Sequence, residues 1–103
     1  MKIEIIYLDN PFWRVELARI PLFVSGIVFD DKRITLDEFR AAKETGFLKD
    51  GIRLPFHQIP CLVVDGVSIA QTGAIGRFCG KLAGLYPKED RISAALIDQF
   101  IDF

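Results

Sequence analysis

The chain has 103 residues, a length that fits one small domain, and half of them are hydrophobic, which argues for a packed core and against disorder. Thirteen Lys and Arg against fourteen Asp and Glu are interspersed along the chain, so no clustered basic surface marks a nucleic-acid partner. The start, MKIEIIYLDN, has no apolar signal region, and no apolar run approaches the roughly 20 residues of a membrane span, which points to a cytoplasmic protein without a membrane partner.

Residues 3–8 (IEIIYL) are β-branched and aromatic and predict a strand that stops at Asp9-Asn10-Pro11. Residues 14–25 (RVELARIPLFVS) place apolar side chains around a largely buried helix, with Gly26 as its stop. Pro21 inside it predicts a bend, since an interior proline lacks the donor that the helix needs. A shorter, more exposed strand follows over 27–34 (IVFDDKRI). Thr35 with Glu38 three positions on is a capping-box pattern that starts a helix over LDEFRAAKE. Gly46, Gly51 and Pro55 make 46–56 a loop. CLVV, Asp65-Gly66 and VSIA then read as a hairpin. From Thr72 to about Ala83, Ile75, Phe78, Cys79 and Leu82 trace one helical face. Beyond Tyr86-Pro87 a further helix carries Ile92, Ala95, Leu96, Phe100 and Phe103 at helical spacing, an apolar stripe that calls for a covering surface from more of the chain or from another subunit.

The order β-α-β-α-β-β-α is that of an α/β, thioredoxin-like fold. A right-handed crossover makes the first two strands parallel, and the hairpin adds an antiparallel edge, giving a four-stranded mixed sheet. In such a fold Ile59-Pro60 stands where a cis-proline precedes the third strand. A cis X-Pro bond costs only about 0.5–1 kcal/mol over trans, and a trans proline at a strand's first residue is also common, so the sequence leaves both forms open. The cis form would free the Ile59 backbone to pair with an extended peptide.

The segments FHQIPCLVVDG and AQTGAIGRF, preceded by IIYLD and RVELAR, resemble the N-terminal domain of a cytosolic glutathione transferase over nearly the whole chain. The likeness is to the tyrosine-type classes (alpha, mu, pi and sigma), with Tyr7 at the end of the first strand. It implies that residues 1–83 form the glutathione-binding domain, and that 84–103 are a linker and the first helix of an all-helical domain. It also implies that the Tyr7 hydroxyl donates to the glutathione sulfur and holds it as thiolate. A hydrogen bond to a charged acceptor is worth about 1.5–3 kcal/mol, or about one to two pKa units off a thiol near 8.5. Gln71 and Thr72 would take the γ-glutamyl carboxylate, with Thr72 at a helix N-terminus whose free N–H groups favour an anion. Gln58 and Ile59 would run beside the ligand's backbone at Pro60. Lys43 would pair with the glycyl carboxylate, Arg14 would help organise the site, and Asp102 would reach across a homodimer to the γ-glutamyl amino group. Glutathione would be a co-substrate beside a hydrophobic electrophile, with no other cofactor and no metal.

The chain departs from that pattern in several places. The LDNPFW loop is one residue longer than usual and carries bulky Phe12 and Trp13. Phe39 stands where a tryptophan often donates to the glycyl carboxylate, the stretch between Lys43 and Pro55 is long, and the helical C-terminal domain is nearly absent. These departures fit an alternative, a transferase-like module that binds partners without turnover. A disulfide oxidoreductase is excluded, because Tyr7-Leu8-Asp9-Asn10 supplies no cysteine at the end of the first strand, and Cys61 and Cys79 form no CxxC pair. Both cysteines are expected to be buried, reduced thiols, and the single His57 has no metal-binding neighbour in sequence.

Overall fold

The computed structural model describes residues 1–9 and 15–103. Strand β1 (Ile3–Leu8) pairs in parallel with β2 (Asp30–Ile34) and antiparallel with β3 (Cys61–Val64), which pairs antiparallel with β4 (Val67–Ala70). The sheet order is β2-β1-β3-β4. Helices α1 (Glu16–Val24) and α3 (Thr72–Leu82) cover one face, and α2 (Leu36–Thr45) covers the other. A further helix, α4 (Arg91–Ile101), follows α3. This is the four-stranded thioredoxin-like arrangement expected from the sequence.

The alternation of β1 explains the two cores. Ile3, Ile5 and Tyr7 point to the side of Val15, Ala18, Leu22, Ile75 and Cys79. Ile6 points the other way, to Ile34, Ala42, Leu48, Leu54 and Val63. A central strand with apolar residues on both faces is what a sheet covered on both sides requires. At the α1–α3 contact Gly76 lets the helices close up, since a Cβ built there would meet the Leu17 Cβ at 3.3 Å. Arg19, nearly buried, holds α1 to the sheet edge through Asp31 at 2.9 Å and bonds Glu16 one turn back.

The helix expected around Pro21 forms as α1 and runs through the proline to Val24, with Ala18 and Leu22 on either side of it buried in the core. Packing of that face outweighs the missing proline donor. Two expectations are corrected. First, β2 begins at Asp30 rather than residue 27. The Ile27 N–H is already taken by the Leu22 carbonyl at the end of α1 (2.9 Å), with Gly26 at φ 70°, so this stretch closes the helix instead of joining the ladder. Second, segment 46–57 has structure of its own. Phe47 and Arg53 form a β-bridge, the Leu48 N–H donates to the Ile52 carbonyl, and a 3-10 turn spans Pro55–His57.

The capping box at Thr35 and Glu38 forms in both directions, and Asp65 (φ 48°) and Gly66 (φ 83°) make the tight hairpin turn. Helix α2 ends on Gly46 in the left-handed region (φ 84°), where a Cβ would lie 2.8 Å from His57 Nε2. Gly46→Ala therefore combines a disfavoured φ with a clash, and is expected to cost about 1–2 kcal/mol in chemical unfolding. An unchanged unfolding midpoint would show that this turn can relax.

Candidate functional site

The strand registers gather the site. Ile6 lies opposite Cys61 and Cys61 opposite Ala70, so one further step along each ladder sets Tyr7 across from Pro60 and Pro60 beside Gln71. Tyr7, Pro60 and Gln71-Thr72 thus share one end of the sheet, although the sequence separates them widely. The Tyr7 ring is packed among core residues with 8% of the residue exposed, and none of the described residues hydrogen-bonds its hydroxyl. The ring is fixed by packing while the hydroxyl is left to bond something else.

The Ile59-Pro60 peptide is cis, which resolves the alternative that the sequence left open. Pro60 is buried, Ile59 half-buried and Gln58 exposed with an extended backbone. Neither the N–H nor the carbonyl of Ile59 is bonded by another described residue. A backbone edge of this kind can take an extended peptide as a strand would. Beside it, α3 begins. Its N-cap is Gln71, not Thr72: Gln71 has φ 78° and no side chain caps the helix, while Thr72 is the first helical residue. The first N–H groups of an uncapped helix, with the positive end of its dipole, form a natural seat for a carboxylate.

Lys43 is exposed in the last turn of α2, with its Nζ 5.9 Å from the centre of the Phe39 ring. Arg14 and the bulky loop residues Phe12 and Trp13 lie outside the described residues. Asp102 closes α4 and accepts from Arg77 Nη2 at 2.6 Å, and a Cβ on Gly73 in the first turn of α3 would lie 3.3 Å from its Oδ1. Within the chain Asp102 therefore flanks the N-terminal turn of α3.

Sequence reasoning gave no role to the group around it. Arg77 Nε also donates to Asp98 at 2.8 Å, and the Tyr86 hydroxyl donates to the same carboxylate oxygen at 2.9 Å. This cluster ties α4 to α3. The Arg77 hydrogen bond holds the Asp98 carboxyl below the usual carboxylate range, while Asp98 raises the Tyr86 hydroxyl and both acids raise Arg77. The acidic pair at positions 98 and 102, one helical turn apart, was its only visible sign. Also missed was His57, whose Nδ1–H donates to the Lys43 carbonyl at 2.8 Å, with Phe56 and His57 both at left-handed φ values of 60° and 56°.

Both cysteines are buried and free, and burial pushes the Cys79 thiol up to about 11 and raises Cys61 as well. Neither suits a nucleophile, which works as the thiolate. Among the described residues no group of His, Cys, Asp and Glu is placed to hold a metal, and no helix is long and apolar enough to cross a membrane.

The family model for the glutathione S-transferase N-terminal domain matches residues 3–80. The chain belongs to this family. It is 36% identical over 91 residues to glutathione S-transferase 1 of Ascaris suum, a match over 85% of this chain and 40% of that protein. It is 33% identical over 93 residues to hematopoietic prostaglandin D synthase of Gallus gallus, across 87% of this chain and 43% of the relative. The crystal structure of Na-GST-3, a glutathione S-transferase of Necator americanus, superposes with a TM-score of 0.81 at 30% identity, covering 99% of this chain and 45% of that one. The chain thus spans less than half the length of each of these relatives.

Proposed function

We propose that the protein binds glutathione along the Gln58–Pro60 backbone and activates its thiol as a glutathione transferase of the tyrosine type. One observation carries this reading: Tyr7, the unpaired Ile59 backbone and the uncapped N-terminus of α3 share one end of the sheet. Each matches a different part of the tripeptide. The extended cysteinyl unit pairs with Ile59 beside Pro60, the γ-glutamyl carboxylate sits on the N–H groups at Gln71-Thr72, and the sulfur comes to Tyr7. Lys43 takes the glycyl carboxylate, and Arg14 helps organise the site.

The hydroxyl donates to the sulfur, so it favours thiolate over thiol, and the thiolate attacks a soft, hydrophobic electrophile. No step needs a metal or another cofactor. Residues 1–83 form the glutathione-binding domain, and 84–103 a linker and the first helix of a helical one. The exposed apolar residues of α4, Ile92, Leu96 and Phe100, support covering by a second surface, and we assign the protein to a cytoplasmic homodimer in which Asp102 reaches the neighbouring γ-glutamyl amino group.

Calorimetric titration with glutathione tests the groove. Wild type is expected to bind. Thr72→Ala, which removes one hydroxyl beside the carboxylate seat, is expected to weaken binding about tenfold, or ~1.4 kcal/mol. Equal affinity of the two proteins would place the carboxylate elsewhere.

A further inference from the structure

On the basis of the glutathione reading above, we propose that Arg33 is a positioning residue for the reacting sulfur. It holds and neutralises the Asp9 carboxylate beside Tyr7, so that no unpaired negative charge opposes the thiolate. The register places it there. Tyr7 of β1 pairs with Arg33 of β2, and partners in a parallel ladder share one face of the sheet. That face is the one covered by α1, because Asp31, two residues before Arg33, bonds Arg19 of α1. From this position Arg33 Nη1 donates to Asp9 Oδ1 at 3.0 Å. Asp9 directly follows β1, two residues beyond Tyr7, at the end of the sheet that Pro60 and Gln71 share.

The pair closes a row of alternating charges along this sheet edge. Arg19 donates to Glu16 and to Asp31 at 2.9 Å each, and Arg33 Nε donates to Asp31 at 3.0 Å. Asp31 thus sits between two arginines, and Arg33 between two acids, with Asp9 at the end nearest Tyr7. Among the described residues no other cation is offered to Asp9. Lys32 lies on the opposite face and pairs with Asp50, and Arg77 of α3 is taken by Asp98 and Asp102. Asp9 is largely exposed, so the pair adds little to stability. Its effect falls on a neighbouring charge instead. A like charge nearby favours the thiol over the thiolate, and neutralising it favours the thiolate.

Ultraviolet titration of the thiol of bound glutathione, on the full chain, tests this with two variants that break the same ion pair. Arg33→Gln leaves Asp9 unpaired and is expected to raise the pH of thiol ionisation by about half a unit, or about threefold in the thiolate-to-thiol ratio. Asp9→Asn leaves the Arg33 charge in place and is expected to lower it by a similar amount, and the double variant to return to the wild-type value. A merely structural role would move both single variants the same way. At about 1 M salt, where the screening length falls to about 3 Å, both shifts should shrink. Shifts of the same sign in the two single variants, or no shift in either one, would overturn the role of Arg33 alone. Failure of wild type to bind glutathione, or a bound thiol that titrates at its ordinary value, would overturn the glutathione reading and this inference with it.

Discussion

Tyr7→Phe is expected to lower the rate of conjugation of a small electrophile by about 10–100-fold at neutral pH, with glutathione affinity nearly unchanged. The reason lies in what the substitution removes. Phenylalanine keeps the ring that packs among Ile5, Val15 and Ile75, so the sheet end keeps its shape. Only the hydroxyl is lost, and with it a hydrogen bond worth about 1.5–3 kcal/mol to a charged sulfur. That bond lowers the thiol pKa, so its removal raises it. The wild-type rate should therefore level off below the ordinary thiol range near 8.5, while the variant's rate keeps climbing through that range. Full activity in Tyr7→Phe, with the same pH profile, would remove Tyr7 from the chemistry.

The largest effect on stability is expected at Leu62. It is fully buried in β3, opposite Ile5 of β1 and in the same core as Leu22 and Cys79. Leu62→Ala should cost about 2–5 kcal/mol, the range for a buried leucine replaced inside a well-packed core. Against a total of about 5–15 kcal/mol for a small domain, that brings the fold to the edge of stability. Val67→Ala is the control: on the edge strand with 64% of the residue exposed, it should change stability by no more than about 0.5 kcal/mol. Denaturant unfolding with unchanged slopes reads both values. A Leu62→Ala cost under ~1 kcal/mol would mean that the core closes around the missing side chain.

Where structure follows from local chemistry, the sequence was readable. The capping box at Thr35, the Asp65-Gly66 turn and the two-faced apolar strand IEIIYL each state their own conformation. The helix through Pro21 was visible too, although the packing of Ala18 and Leu22 that offsets the proline's local cost is tertiary. Residues 27–29 were hidden: their apolar character suits a strand, but the Ile27 N–H is used by Leu22. The site divides in the same way. A proline before an apolar strand and a Gln-Thr pair after a hairpin are visible as letters, and the hairpin sets the register of one beside the other, but their place beside Tyr7 comes from the long-range pairing of β1 with β3. The left-handed Gln71, the His57 bond to the Lys43 carbonyl and the seating of Arg77 between Asp98 and Asp102 depend on how distant elements pack, and no short stretch encodes them.

Under the proposed function, Tyr7 and the Pro60–Thr72 end of the sheet hold glutathione as a thiolate. The most direct measurement is an ultraviolet titration of the thiol of bound glutathione, in wild type and in Tyr7→Phe, which needs no electrophile. The wild-type thiol is expected to ionise about one to two pH units below the ordinary value near 8.5, and to return to that value in the variant. A bound thiol that titrates at the same pH in both proteins would contradict it.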